Sequence, residues 1–157
     1  MRGDLLACCV LALALTGCAS DQPLNRQTES GKAEAVLPNI TVDAFRNEAI
    51  LRCAQHGGEM ESGQNSVICS REETGGRGIA AQLLVGNAYS GTPHTKLRLT
   101  FAQQGTGLYV VADEWLEITM GFGEVKKIPL TSNALRNSLQ TDLDTIAERL
   151  RLQQSQH

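Results

Sequence analysis

Residues 94–120, HTKLRLTFAQQGTGLYVVADEWLEITM, read as a hairpin. Leu97, Leu99 and Phe101 alternate with Lys96, Arg98 and Thr100, the two-residue period of a strand with one face on a core and the other in water. Gln104-Gly105-Thr106-Gly107 turns the chain. Residues 108–120 then continue as a longer strand in which Val110, Ala112, Leu116, Ile118 and Met120 share one face. Strands joined by so short a turn run antiparallel, because a parallel neighbour needs a long crossover.

Upstream, Ile79, Ala81, Leu83 and Val85 alternate, and the expectation is a strand over 79–85, preceded by a turn at 73–78 and followed by a loop at 86–93. Residues 66–71 form a shorter strand with Val67 and Cys69 pointing one way. Before it, Val42, Phe45, Ala49 and Cys53 fall on one face of a helix over 42–56, capped by Thr41 or Asp43 and stopped by Gly57-Gly58. Downstream, Gly121-Phe122-Gly123 interrupts the long strand, and 124–130 is a short fifth strand whose Pro129 favours a sheet edge. Leu135, Leu139, Leu143, Ile146 and Leu150 step by helical spacing along a final helix over 133–151, capped by Thr131, Ser132 or Asn133. The expected fold class is α+β: an N-terminal helix, an antiparallel meander of four to five strands, and a C-terminal amphipathic helix packed on the sheet.

The chain has 157 residues and five cysteines. Its net charge is −3, from 14 Lys and Arg against 17 Asp and Glu, and it has no basic block. That argues against a nucleic-acid partner, which needs clustered Lys and Arg for phosphate.

At the N-terminus, Arg2 precedes a run of mostly apolar residues from Leu5, the layout of an export signal and too short to span a bilayer. The run ends in Leu15-Thr16-Gly17-Cys18, which resembles the lipobox of bacterial lipoproteins; Asp4 departs from the usual basic start. The resemblance implies cleavage before Cys18 and acylation of Cys18 with a diacylglyceryl group, joined in Gram-negative bacteria by a third chain. Two or more chains hold a protein stably on a bilayer. Ala19 in place of Asp, by resemblance to enteric lipoproteins, favours the outer membrane, facing the periplasm. The domain plan is then a signal peptide at 1–17, a flexible polar tether at 18–38, one α+β domain at 39–152 and a disordered tail at 153–157.

Removing the leader takes away Cys8 and Cys9, and lipid blocks Cys18. Cys53 and Cys69 remain, an even pair in an oxidising compartment, and the expectation is one disulfide stapling the first helix to the first strand. A redox pair would want Cys-x-x-Cys, and zinc would want more ligands than Cys53 and the nearby His56. No metal or cofactor is expected.

The catalytic inventory is thin. Gly75-Gly76-Arg77-Gly78 lacks the ending of a phosphate loop and reads as a turn. Ser90 with His94 as base lacks a third, orienting group. No catalytic residue is expected. Asp113, Glu114 and Glu117 flank the only tryptophan; Asp113, Trp115 and Glu117 share a solvated outer face, whereas Glu114 points to the other side. Trp115 is either an exposed contact residue or covered by a curled sheet. Tyr89 and Phe122, each set among small residues, suit loops that present an aromatic to a partner, or aromatics that tuck back inside. The leading expectation is a non-enzymatic, lipid-anchored envelope protein with a protein partner, contacting it through Tyr89, Trp115 or Phe122. The alternative is a carrier of a small ligand or lipid, with a pocket between the sheet and the C-terminal helix.

Overall fold

A computed structural model describes residues 21–85 and 90–155. The elements run β1 (Ala33–Pro38), α1 (Val42–Gln55), β2 (Glu59–Ser62), β3 (Ser66–Glu72), α2 (Gly76–Val85), β4 (His94–Gln104), β5 (Gly107–Thr119), β6 (Val125–Pro129) and α3 (Asn133–Gln154).

The β4–β5 hairpin is the spine of a six-stranded antiparallel sheet. Its register pairs Gln104 with Gly107 and continues to His94 opposite Glu117. Gly105 takes φ +59°, a conformation such two-residue turns need and glycine adopts without a Cβ clash. The sheet order is β1-β5-β4-β3-β2, and β6 also pairs with β5. β1 lies against residues 107–112 of β5 and β6 against 115–119, so the two short strands follow one another along the edge of β5 that β4 leaves open. Pro129 sits in β6, on that edge as expected.

The inner face of the sheet carries the core. Leu108, Val110 and Ala112 of β5, Leu99 and Phe101 of β4 and Val67 of β3 meet Phe45 and Ala49 of α1 and Leu139, Leu143, Ile146 and Leu150 of α3. Phe45 and Phe101 are fully buried and meet edge-on at 5.6 Å, a favoured aromatic geometry. The α+β class and the C-terminal helix on the sheet therefore stand. Thr41 caps α1, its hydroxyl accepting from the Ala44 N–H; of the three candidates at α3, Ser132 is the cap and accepts from Leu135 N–H. Cys53 and Cys69 form the disulfide that ties α1 to β3.

Three expectations are corrected. Residues 79–85 are not a strand: Gly76–Val85 is α2, with Ile79 and Leu83 exposed and Ala81 packed on Leu116 and Ile118. A short apolar run carries no decisive period, and Ala80, Ala81, Gln82 and Leu83 are good helix formers. Residues 33–38 are not tether but β1, with Ala33 and Leu37 buried. The segment before it is tied down too: Asn25 N–H donates to Asn137, Arg26 pairs with Asp144 at 3.0 Å, and Asp21 accepts from Asn133 N–H. Residues 153 and 154 are not tail but the last residues of α3, and Gln154 Nε2 donates to the Asn39 carbonyl. The strand β2, a mostly polar edge strand with only Met60 reaching the core, escapes sequence reading altogether.

Candidate functional site

α3 packs against β1, and α1 packs against β2, β3 and β4. The inner face between them is incompletely covered, and an open cavity of about 390 Å³ lies there. That is within the range of small-molecule sites. Its floor is Val67 and the Cys69 half of the disulfide from β3, Leu97 and Leu99 from β4, and Glu114 from β5. Ala49 and Arg52 of α1 form one wall; Leu135, Leu139 and Ile146 of α3 form the other. His56, Arg71, Arg77 and Asp142 stand at the rim. The full-sized apolar row Leu97, Leu99 and Phe101 does not fill this space, because Phe101 is taken up by Phe45 further along the sheet.

Glu114 is the one charged residue on the inward row of β5, between Ala112 and Leu116. Its side chain makes no hydrogen bond among the described residues. Burial in the cavity floor raises its pKa, against the opposing pull of Arg77 and Arg71 at longer range. Arg52 donates through Nε to Glu48 at 3.1 Å, while its Nη2 is buried with no acceptor among the described residues. Arg71 pairs loosely with Glu73 at 3.4 Å, and Arg77 forms no ion pair among the described residues. Glu73 is held below its usual range first by the Thr95 hydroxyl, which donates to it at 2.7 Å. The site therefore has an apolar body, a polar rim with the guanidinium groups of Arg71 and Arg77, and a third, Arg52, with unmet hydrogen-bonding capacity in its wall.

The residues singled out from sequence do not converge. Cys18 and Tyr89 lie outside the described residues. Trp115 is 9 % exposed, on the outer face, with the Arg98 guanidinium 5.4 Å and the Lys127 ammonium 5.3 Å from its ring; its Nε1 donates to Glu117. It is covered by charged side chains and offers no apolar surface to a partner. Around it Asp113 pairs with Lys32 and Arg98, and Glu117 with Lys96. Burial pushes both carboxyls up, but their cationic partners, with the Trp115 N–H for Glu117, outweigh it and hold them below their usual range. The Glu117 bond in turn raises Lys96. This is a structural network on a solvated face, as the acidic cluster there suggested.

Phe122, by contrast, is fully exposed on the turn between β5 and β6. Ser90 and His94 are not shown as a catalytic pair: the Ser90 hydroxyl contacts the Met120 sulfur at 3.5 Å, and His94 Nδ1 lies 3.4 Å from the Ser70 hydroxyl. Among the described residues no group of His, Cys, Asp and Glu is placed to hold a metal ion, and no helix is long and apolar enough to cross a membrane. Sequence reading missed Glu114, Arg52, Arg71 and Arg77 as site residues. The signal for Glu114 was there, since strand alternation turns it inward; Arg77 was hidden by the misread turn. The chain matches no family model, and comparison with curated proteins and with solved structures finds no significant match.

Proposed function

We propose that this protein is a lipid-anchored component of a bacterial envelope that binds a small, largely apolar ligand in the cavity between the sheet, α1 and α3, without transforming it. The observation that carries the binding reading is the cavity itself: about 390 Å³ lined by Val67, Leu97, Leu99, Leu135, Leu139 and Ile146. Between the two expectations drawn from sequence, this favours the carrier over the docking module. Ser138, His56 and Asp142 all line it, but among the described residues no hydrogen bond joins them into a nucleophile, base and orienting group, so binding is the chemistry proposed.

The anchoring reading rests on the lipobox-like Leu15-Thr16-Gly17-Cys18. The docked N-terminal segment gives it a geometric consequence. Asp21 accepts from Asn133 N–H at the start of α3, so an acylated Cys18 stands only three residues from a fixed point on the domain. Three residues span at most about 11 Å. The domain would then sit close to the bilayer instead of ranging from it on a long tether. The outer membrane, on its periplasmic face, is the proposed location, since Ala19 follows the cysteine.

A neutral environment-sensitive dye such as N-phenylnaphthylamine tests the binding reading. Titrated into the mature chain, it should saturate at one dye per protein; a linear, unsaturable response would contradict a defined site. Mass spectrometry of the native amino terminus tests the anchor, with an unmodified Cys18 or an uncut leader as the contrary result. One observation supports the docking reading as a second possibility: a fully exposed Phe122 at a turn tip. If it anchors a protein partner, Phe122→Ser should abolish a crosslink formed in intact cells while leaving dye binding unchanged.

A further inference from the structure

We infer that the ligand of this cavity is an amphiphile with one apolar chain and an anionic head, taken up from the lipid surface beside which the domain sits. This rests on the cavity reading above and adds the ligand's charge and source.

The charge follows from the balance of partners around the opening. Arg71, Arg77 and Arg52 line the cavity, and His56 stands with them at the rim. Arg77 has no ion pair among the described residues, and Arg52 keeps a buried Nη2 without an acceptor. Asp142 at the rim and Glu114 in the floor are the acids of the lining, while Glu48 pairs with Arg52 and Glu73 with Arg71 beside it, which leaves Arg77 as the guanidinium without an ion pair among the described residues. Burial raises the pKa of Glu114, against the pull of Arg77 and Arg71, and its side chain makes no hydrogen bond among the described residues. An anionic head at the guanidinium groups would gain charge-assisted hydrogen bonds, and the chain would lie on Leu97, Leu99, Leu139 and Ile146. A cationic head would face three guanidinium groups.

The source follows from where the anchor attaches. Asp21 binds the first residue of α3, and Leu135, Ser138 and Asp142 in the first turns of that helix line the cavity. With Cys18 acylated, the end of α3 that borders the opening is the end held near the bilayer. The anionic head can be the carboxylate of a free fatty acid or the phosphate of a lysophospholipid.

The test uses the mature chain from Cys18 to the C-terminus, made without acylation; the described fold lies wholly within residues 21–155. Four ten-carbon probes are titrated calorimetrically below their micellar concentrations: decanoate, decyl phosphate, decanol and decyltrimethylammonium. The inference expects decanoate or decyl phosphate to bind at least about tenfold tighter than decanol and the cation, the gain of one charge-assisted bond. Arg77→Gln and Arg71→Gln, both on exposed side chains and expected to fold, should each reduce anion binding by about threefold or more and leave decanol unchanged. Preference for decanoate identifies the fatty-acid source, and preference for decyl phosphate the phospholipid source; either supports the class. Equal binding of all four probes, or tighter binding of the cation, overturns the anionic head while leaving the cavity reading intact. Binding of none overturns both.

Discussion

Glu114 shows how much one residue can reveal and conceal. Its position in the strand, one step out of phase with Asp113 and Trp115, turns it inward, and that phase was legible from alternation alone. What alternation does not show is that the two helices leave space over it, because that depends on how α1 and α3 are set apart. The raised pKa of this carboxyl has a sign that can be measured. The folded protein holds its proton to higher pH than the unfolded chain does, so wild-type stability falls as pH rises above the ordinary value of 4.5. Glu114→Gln should therefore equal wild type at low pH and exceed it by roughly 1 kcal/mol at neutral pH, read from denaturant midpoints. A variant less stable than wild type at neutral pH would show that the carboxylate is satisfied in the fold. Asp113 on the opposite face behaves in the reverse sense. Lys32 and Arg98 hold it below 3.8, so its contribution is complete above that value and is lost as pH falls through its lowered folded value. With its partners partly exposed, Asp113→Asn should cost no more than about 1 kcal/mol at neutral pH and nothing in strong acid.

Among the elements, those with long and regular periods were readable and those without were not. The β4–β5 hairpin and α3 carry long apolar rows, that of β5 interrupted at Glu114, and both stand where the pattern puts them. α2 was misread because its apolar residues serve two ends at once: Ala81 faces the core while Ile79 and Leu83 face water. β1 is a short edge strand whose partner lies far along the chain, and β2 is a four-residue, mostly polar strand hairpinned onto β3, so local sequence carries little trace of either. The disulfide was readable by counting cysteines, although its neighbour Gly58 was seen only as a helix stop. A Cβ at Gly58 would stand 2.5 Å from the Cys69 sulfur and 2.7 Å from that of Cys53. Gly58→Ala should lower the melting temperature in the oxidised protein, with a smaller effect once the disulfide is replaced. Replacing Cys53 and Cys69 together should cost about 3 kcal/mol, the expected contribution for a loop of this length, read from denaturant unfolding. Equal stability with and without the bridge would remove it as a staple.

Among the described residues, the molecule is an antiparallel sheet with ion pairs around Trp115 on its outer face and helices on its inner face that leave a space open. The segment expected to be a tether runs along α3 instead, and this brings the proposed anchor point next to the domain. A fluorophore at Thr141→Cys, on the exposed side of α3, should transfer energy efficiently to an acceptor in lipid headgroups. A flexible spacer of about twenty residues inserted after Ala19 should reduce that transfer; no change would mean the domain is not held by its N-terminal segment. The open space is the central claim, and filling it is the direct test. Leu97→Trp adds an aromatic ring to the cavity floor. If the space is open, the variant keeps or gains thermal stability and loses saturable binding of the neutral dye. If it instead unfolds more easily by the roughly 1–3 kcal/mol that overpacking costs, and still binds dye as wild type does, the core is already full there and the ligand site is elsewhere.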